Sequence, residues 1–268
     1  MSTISHQQAL DKLAARQLVQ VIEDDVASLT AIAMSFAKHD QQLTVPGYVL
    51  PKLLARWNCI LQGPAEEVST GYKDKTALAM ALLLHKHGMA DSALTQCAVQ
   101  AIDNLNAAVA LSDAFFKSND AIRDLLNSPP VALKKRPSTR DNLTFLRAQD
   151  VIAIQLEQYF YAAYVHEISG YNEYPIIELY DGRFDSRPDM ADLQGRAAWG
   201  ETYNDGLTRI SMQAVCGMRH VPDPANQFHL VASGITTPPD RGSLGPPVGL
   251  YAMSDLFRLQ KELQKVGG

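Results

Sequence analysis

The sequence predicts an all-α protein, a multi-helix bundle with a loop-rich C-terminal third. Apolar residues recur at close to a 3.6-residue spacing through most of the first 170 residues. Pro and Gly interrupt this pattern at intervals and become frequent beyond residue 170. A hydrophobic content of 46% with 20% charged residues is typical of an ordered globular chain. These observations favour a single helical domain over 1–268, with a candidate subdivision near 129–137.

The helices expected in the first half begin and end at recognisable signals. Ser5 opens a capping box, and Pro51 suits the first turn of a helix because its missing N–H has no helical partner there. Gly88 separates two alanine- and leucine-rich segments, and Pro129 ends the second. The helices predicted here cover about 5–32, with an interruption near 23–25, and then 51–61, 76–87 and 91–126.

The second half contains the clearest helical pattern and two long connections. Over 141–170 one helical face would carry five apolar residues: Ile152, Leu156, Tyr159, Phe160 and Ala163. Irregular connections over 171–195 and 220–247 flank a helix predicted at 199–218, and an amphipathic helix over 252–265 closes the chain. Connections of that length are uncommon in a compact protein unless they are functional.

Charge and cysteine content exclude several classes of function. A net charge of −5 and a single short basic run, Lys134 to Arg136, argue against a nucleic-acid-binding surface. The N-terminus does not resemble a signal peptide, and no apolar stretch is long enough to span a membrane. The three cysteines form no CxxC pair. We therefore expect a soluble, cytoplasmic protein with no membrane or nucleic-acid partner.

The familiar catalytic motifs are missing. The sequence contains no GxSxG elbow, no Walker A sequence and no GxGxxG after a strand. His166 and Glu167 begin an HExxH-like segment, but Gly170 stands where the second histidine would be. A metal-dependent enzyme that combines this pair with the following carboxylates is the least supported hypothesis. We expect those acidic residues, which include Glu178, to form a solvated loop.

Histidines provide the remaining candidate sites. His85 and His87 lie at a helix end, where the helix dipole favours a cationic side chain or where one imidazole could enter a pocket. His220 and His229 precede a Gly/Pro-rich loop in the C-terminal third. A histidine followed by such a loop could ligate a haem iron, whereas a buried histidine beside a structural connection is the alternative.

At these residues the sequence resembles the helical haem-dependent dioxygenase superfamily, which contains tryptophan and indoleamine 2,3-dioxygenases and related aromatic hydroxylases. In that family a proximal histidine is followed by a GTGG-type loop and a helix. Here His229 precedes the segment Gly242, Ser243, Leu244, Gly245, and Arg219 lies before the histidines. The resemblance covers part of the C-terminal third, and Leu244 departs from the glycine of the family.

The resemblance implies a haem-binding oxidoreductase that acts on an aromatic or indole-type small molecule with O2 or peroxide. His229 would be the iron ligand, with His220 as a competitor. Arg219, Gly242 and Ser243 would hold the cofactor, and His85 or His87 would act near bound oxygen. The alternative is a non-catalytic helical interaction protein, of the immunity or adaptor type, that binds a protein partner. A homo-oligomer is compatible with both.

Overall fold

The structure, a computed structural model, describes residues 4–139 and 143–266, and it is a mixed α/β fold. The chain divides into two compact units, Met1–Arg140 and Asp141–Gly268, which we call the helical unit and the sheet unit. The division falls just beyond the 129–137 segment. Because the sheet unit is built around a six-stranded sheet, the prediction of an all-α bundle is wrong.

The helical unit contains seven helices within its described residues. They are α1 (His6–Asp11), α2 (Arg16–Phe36), α3 (Val45–Leu61), α4 (Thr70–Lys86), α5 (Ser92–Ala107), α6 (Asp113–Phe116) and α7 (Asn119–Asn127). Helix α4 is the centre of this unit, since every residue from 76 to 85 is buried. A helix that is apolar on all sides belongs in a core rather than at a surface.

Backbone conformation explains where the predicted helices differ from the observed ones. Ala14 has φ +49° and separates α1 from α2, whereas α2 runs unbroken through the predicted interruption at 23–25. Val109 has φ +50° and ends α5, so the single helix predicted over 91–126 is three helices. Neither residue type is typical of a left-handed position, and the sequence pattern therefore did not mark these breaks.

The sheet unit contains eight strands and two helices within its described residues. They are β1 (Val151–Leu156), β2 (Tyr159–Ser169), β3 (Tyr174–Leu179), α8 (Met190–Leu193), β4 (Gly200–Thr202), β5 (Thr208–Ile210), β6 (Met212–Cys216), β7 (Phe228–Ala232), β8 (Ala252–Asp255) and α9 (Leu256–Lys265). The main sheet has the order β7-β1-β2-β3-β6-β8, and β4 pairs with β5 separately. Only the β6–β8 pair among these is parallel.

Two helices predicted in this region are wrong. The 141–170 segment contains β1 and β2, which form an antiparallel hairpin with Leu156 opposite Tyr159. The segment over 199–218 contains β4, β5 and β6, and the helix predicted over 252–265 begins only after β8. Strands β1 and β2 are buried on both faces through much of their length. Such strands lack the alternation of apolar and polar residues that identifies a half-exposed strand.

No helix of the described residues is both long enough and apolar enough to cross a membrane.

Candidate functional site

The most unusual residue of the sheet unit is Glu178, a fully buried carboxylate near the C-terminal end of β3. Its oxygens accept hydrogen bonds from Arg241 Nε and Nη2, each at 3.1 Å, and from His166 Nε2 at 2.6 Å. A buried carboxylate requires such partners because losing water is costly for a charged group. Glu178 is therefore not part of the solvated acidic loop that we expected.

The hydrogen bonds keep Glu178 ionised. Burial alone would raise the pKa of the Glu178 carboxyl, but the hydrogen bonds from His166 and Arg241 outweigh burial and hold that pKa below its ordinary value. The side chain of Arg241 is 44% exposed, whereas Glu178 is fully enclosed. The negative charge therefore lies inside the protein and the compensating guanidinium reaches the surface.

A β-bulge places His166 beside Glu178. The register of β2 on β3 shifts between Val165 and Glu167, so His166 is the extra residue of the bulge. An ionised carboxylate can only accept, and so Nε2 of His166 donates to Glu178. In the neutral imidazole Nδ1 then carries the lone pair, and it makes no hydrogen bond to any described residue. Such a nitrogen can accept a proton or a hydrogen bond from a ligand.

A cavity of about 730 Å³ lies next to this cluster, and we call it the loop cavity. Its apolar wall includes Met190 and Leu193 of α8 and Ile235, Pro238 and Pro239 of the 233–241 segment. Its polar lining includes Tyr180, Arg196 and Arg241. A volume of this order suits a small organic molecule, since ligand pockets usually measure about 300–1,000 Å³.

Backbone hydrogen bonds hold the 233–241 segment over the sheet. Tyr164 donates its hydroxyl proton to the carbonyl of Ile235 at 2.8 Å, and the Ile235 amide donates to the Gln149 carbonyl at 3.0 Å. Further along, the Asp240 amide donates to the Arg196 carbonyl at 3.0 Å, and the Asp240 carbonyl accepts from the Ala198 amide at 2.7 Å. Both ends of the segment are therefore fixed, and the loop cavity is preformed.

Tyr180 is the most enclosed polar residue of the loop cavity. Only 3% of its surface is exposed, and burial raises the pKa of its hydroxyl to about 12. The hydroxyl makes no hydrogen bond to any described residue, yet it is not among the fully enclosed polar atoms without a partner. Tyr180 lines the loop cavity.

Arg196 gives the loop cavity a second guanidinium. Its hydrogen bonds to the carbonyls of Asp192 and Asp181 are long, at 3.4 and 3.5 Å, and its guanidinium lies 4.7 Å from the ring centre of Phe184. Arg196 forms no ion pair with a carboxylate in the described part of the chain. Its charge is therefore available to a ligand.

The candidate catalytic histidines His85 and His87 lie in the helical unit. His85 is buried, and both its ring nitrogens have partners at 2.8 Å: Nδ1 contacts His6 Nε2 and Nε2 contacts the Ser128 carbonyl. His87 is buried at the C-terminal end of α4, where burial lowers its pKa and its Nδ1 has no hydrogen-bond partner. The two histidines do not share a common partner among the hydrogen bonds described.

The candidate cofactor residues are all in the sheet unit. His229 lies on the edge strand β7, and His220 is half-buried with its ring stacked 6.1 Å from that of Phe145. The Arg219 carbonyl accepts from the Phe145 amide at 3.0 Å. Gly242 and Ser243 are exposed, and they directly follow Arg241. Cofactor binding by these residues stays a prediction, and none of them lines the loop cavity.

The surroundings of His229 do not favour a haem ligand. Nδ1 of His229 lies 3.2 Å from Nη1 of Arg187. A guanidinium can only donate, so this contact favours the tautomer with the proton on Nε2. A haem-ligating histidine instead donates from Nδ1 and binds iron through the lone pair on Nε2. Haem binding at His229 would require the Arg187 contact to change.

The prediction of metal binding by clustered side chains is wrong for the described residues. Among residues 4–139 and 143–266, no group of three or more His, Cys, Asp or Glu side chains is arranged to hold a metal ion. His166 contacts Glu178 rather than Glu167, and Glu167 is exposed. A haem iron needs only one protein ligand. The haem prediction therefore remains a prediction.

The sequence did not identify Tyr180, Arg196 or Arg241 as site residues. One signal was present, because Glu178 interrupts the otherwise apolar run PIIELY, and a charge inside such a run requires a buried partner. The partner, Arg241, lies 63 residues further along the chain, and no local pattern points to it.

No family model matches the chain, and no curated protein or solved structure is found to be similar to it.

Proposed function

We propose that the sheet unit binds a small organic molecule in the loop cavity. The observation that carries this proposal is Tyr180, which lines the cavity, is only 3% exposed, and makes no hydrogen bond through its hydroxyl to any described residue. A hydroxyl in a mostly buried side chain needs a hydrogen-bond partner, which either water or a ligand can supply. A bound molecule would satisfy the hydroxyl.

The walls of the loop cavity support a ligand with a flat or bulky apolar body. Leu193, Ile235 and Pro239 provide apolar surface, and the sheet face below them is an apolar cluster that includes Val151, Ala162 and Tyr164. Pockets for small molecules combine such walls with a few polar groups that orient the ligand. The small aromatic molecule expected from the sequence is compatible with this lining.

A neutral aromatic probe tests the proposal. We expect indole-3-propionamide to bind the full chain with a measurable heat in isothermal titration calorimetry. Thr237→Trp should abolish that binding, because Thr237 is exposed and lines the loop cavity. Thr236→Trp is the matched control, since Thr236 is also exposed but does not line the cavity. Equal binding by both variants, or no binding by the native chain, would contradict the proposal.

A second candidate function is protein binding by an exposed apolar patch of the sheet unit. Leu143, Phe145 and Tyr171 are 59%, 68% and 91% exposed. Paired hydrogen bonds hold the patch together, because the Thr144 amide and the side-chain amide of Asn172 each donate to the other residue's carbonyl at 2.9 Å. Exposed aromatic residues on a rigid support are typical of binding surfaces. This patch supports an interaction role that does not depend on a helical fold.

Site-specific photo-crosslinking tests the patch. We expect a benzophenone amino acid in place of Tyr171 to give discrete crosslinked products in cells, whereas the same residue in place of Leu207, which is also exposed, should not. A second copy of this chain and an unrelated protein would be distinguished by the mass of the product. Identical, diffuse labelling at both positions would remove the support for a binding patch.

The haem-dependent oxidoreductase implied by the family resemblance remains a further prediction. Its test is an absorbance spectrum of the full chain before and after addition of hemin. A Soret band that is lost in His229→Ala, but not in His220→Ala, would support His229 as the ligand and would require the Arg187 contact to open. The absence of a band in the native chain would contradict the prediction.

A further inference from the structure

We infer that the ligand of the loop cavity carries an anionic group, a carboxylate or a phosphate, that is bound by Arg196 and Arg241 and by the hydroxyl of Tyr180. This inference rests on the proposed function and names the chemistry of its ligand. Arg196, Arg241 and Tyr180 all line the same cavity. Arginine binds planar and tetrahedral oxyanions through parallel N–H donors, and a phenol can add a further donor.

The backbone arrangement places the two arginines on the same side. Ala197 and Asp240 form a parallel bridge between two extended segments. Side chains along an extended segment point alternately to its two faces. The neighbours of the two bridge residues therefore place their side chains on the face opposite to that of the bridge residues themselves. Arg196 and Arg241 each stand one step from the bridge and both line the cavity. Arg196 and Arg241 therefore lie on the same face and line the same cavity.

Arg241 keeps donors for a ligand although it binds Glu178. The guanidinium has five N–H groups, and the hydrogen bonds to Glu178 use one on Nε and one on Nη2. The Nη1 group makes no contact with Glu178, and the Arg241 side chain is 44% exposed. The outer edge of the guanidinium can thus bind an oxyanion while the inner edge remains paired.

The nearby carboxylates both accept hydrogen bonds from protein groups. The charge of Glu178 is compensated by Arg241 and is enclosed behind it. Asp240 also lines the cavity, and its Oδ1 accepts from the Gly242 amide at 3.0 Å. Arg196 has no carboxylate partner in the described part of the chain. Arg196 is therefore the guanidinium of the cavity that no described carboxylate engages.

Matched acid and amide probes test this inference. At low salt we expect the dissociation constant of indole-3-propionate to be at least about tenfold lower than that of indole-3-propionamide, because charge-assisted hydrogen bonds are stronger than neutral ones. Arg196→Gln should remove most of that preference, and Tyr180→Phe should weaken the binding of the acid while keeping the ring. Arg183→Gln is the matched control, since Arg183 lies over the ring of Tyr159 and does not line the cavity.

The outcomes separate the two proposals. If the acid and the amide bind equally and Thr237→Trp abolishes both, the loop cavity binds small molecules but the anionic group is refuted. If neither compound binds, the proposed function fails together with the inference. Phenyl phosphate distinguishes the two sources of negative charge, since tighter binding than 3-phenylpropionate would identify a phosphate ligand and the reverse order a carboxylate. Folding of each variant is verified by circular dichroism.

Discussion

Arg241 meets both oxygens of the buried Glu178 carboxylate, with Nε and Nη2 each 3.1 Å from its acceptor. His166 approaches the same carboxylate from the bulge of β2 at 2.6 Å. This arrangement joins the central strand β3 to the segment that covers the loop cavity. Stability of the sheet unit and the shape of the cavity should therefore both depend on Glu178 keeping its partners.

We expect Arg241→Ala to lower the free energy of unfolding by about 1.5–3 kcal/mol, the usual contribution of hydrogen bonds to a charged group. The loss should not be larger, because His166 still donates to Glu178 and Arg241 is partly exposed. Urea denaturation of the full chain measures this. Arg183→Ala is the control and should change stability little, since Arg183 lies over the ring of Tyr159 and forms no ion pair with a described carboxylate. Equal effects would contradict the prediction.

Acid should destabilise the sheet unit through Glu178. The pKa of Glu178 is lowered on folding from an ordinary value of 4.5, so the unfolded chain takes up the proton first. The stabilising contribution is complete above that value and is lost as the pH falls through the lower pKa of the folded state, with a slope of at most about 1.4 kcal/mol per pH unit. Glu178→Gln should flatten the stability profile below pH 4.5. A profile of unchanged slope would refute this linkage.

His87 should make the stability of the helical unit depend on pH, in a higher pH range than the one in which Glu178 acts. Burial, followed by the charge of Lys86, lowers the pKa of His87 from an ordinary value of 6.5. The unfolded chain therefore binds this proton first, and stability is lost as the pH falls below 6.5 through the folded pKa. We expect His87→Leu to reduce this slope in thermal unfolding, whereas His39→Leu, at an exposed position, should not. A residual slope is expected because burial also lowers the pKa of His6.

Substitution by alanine should change the stability of the protein in opposite directions at two glycines of the helical unit. Gly88 has φ +78°, and an added Cβ would lie 2.6 Å from the Ala132 Cα, so Gly88→Ala should destabilise the protein by about 2 kcal/mol or more. Gly71, inside α4, has no atom within 4 Å of an added Cβ. Gly71→Ala should stabilise by about 0.5 kcal/mol through helix propensity. Denaturant titration of both variants measures the contrast, and a shift of the same sign in both would contradict it.

Asp25 should be among the most sensitive residues of the helical unit. Its Oδ2 accepts from Arg56 Nε at 2.8 Å and from Trp57 Nε1 at 3.0 Å, and both donors belong to fully buried residues. Asp25→Ala leaves the Arg56 charge enclosed without this carboxylate and should cost about 3–5 kcal/mol. Asp11→Ala, at an exposed position of the same unit, is the control, with an expected loss of about 1 kcal/mol or less. Comparable losses in urea denaturation would show that Asp25 has no special role.

Local signals predicted much of the helical unit correctly. The capping box of Ser5 and Gln8 is present at α1, and Gly88 lies between α4 and α5 as expected. These signals depend on residues within one turn of each other, which is why the sequence reveals them. The start of α3 was missed, since Thr44 caps a helix that begins at Val45 and contains Pro51 in its interior.

The sheet unit was not predictable in the same way. The hairpin between β1 and β2 turns at residues 157 and 158, with Glu157 at φ +57° where glycine or asparagine would be the usual signal. Without that signal, the buried strands resemble one continuous apolar segment of helical periodicity. The pairing of Glu178 with Arg241 is tertiary, and the candidate site depends on it. No spacing in the sequence could therefore reveal the loop cavity.

Strand β7 covers the outer edge of β1, since Val151 pairs with Ala232. A ribosome adds about 5–20 residues per second, so the outer edge of β1 stays open for several seconds while the chain up to β7 is made. The helical unit needs no such interval, because its helices pack largely on neighbours in sequence, α2 on α3 and α4 on α5. During synthesis the helical unit can therefore fold while β1 still has an unpaired edge, and such an edge can pair wrongly with another strand.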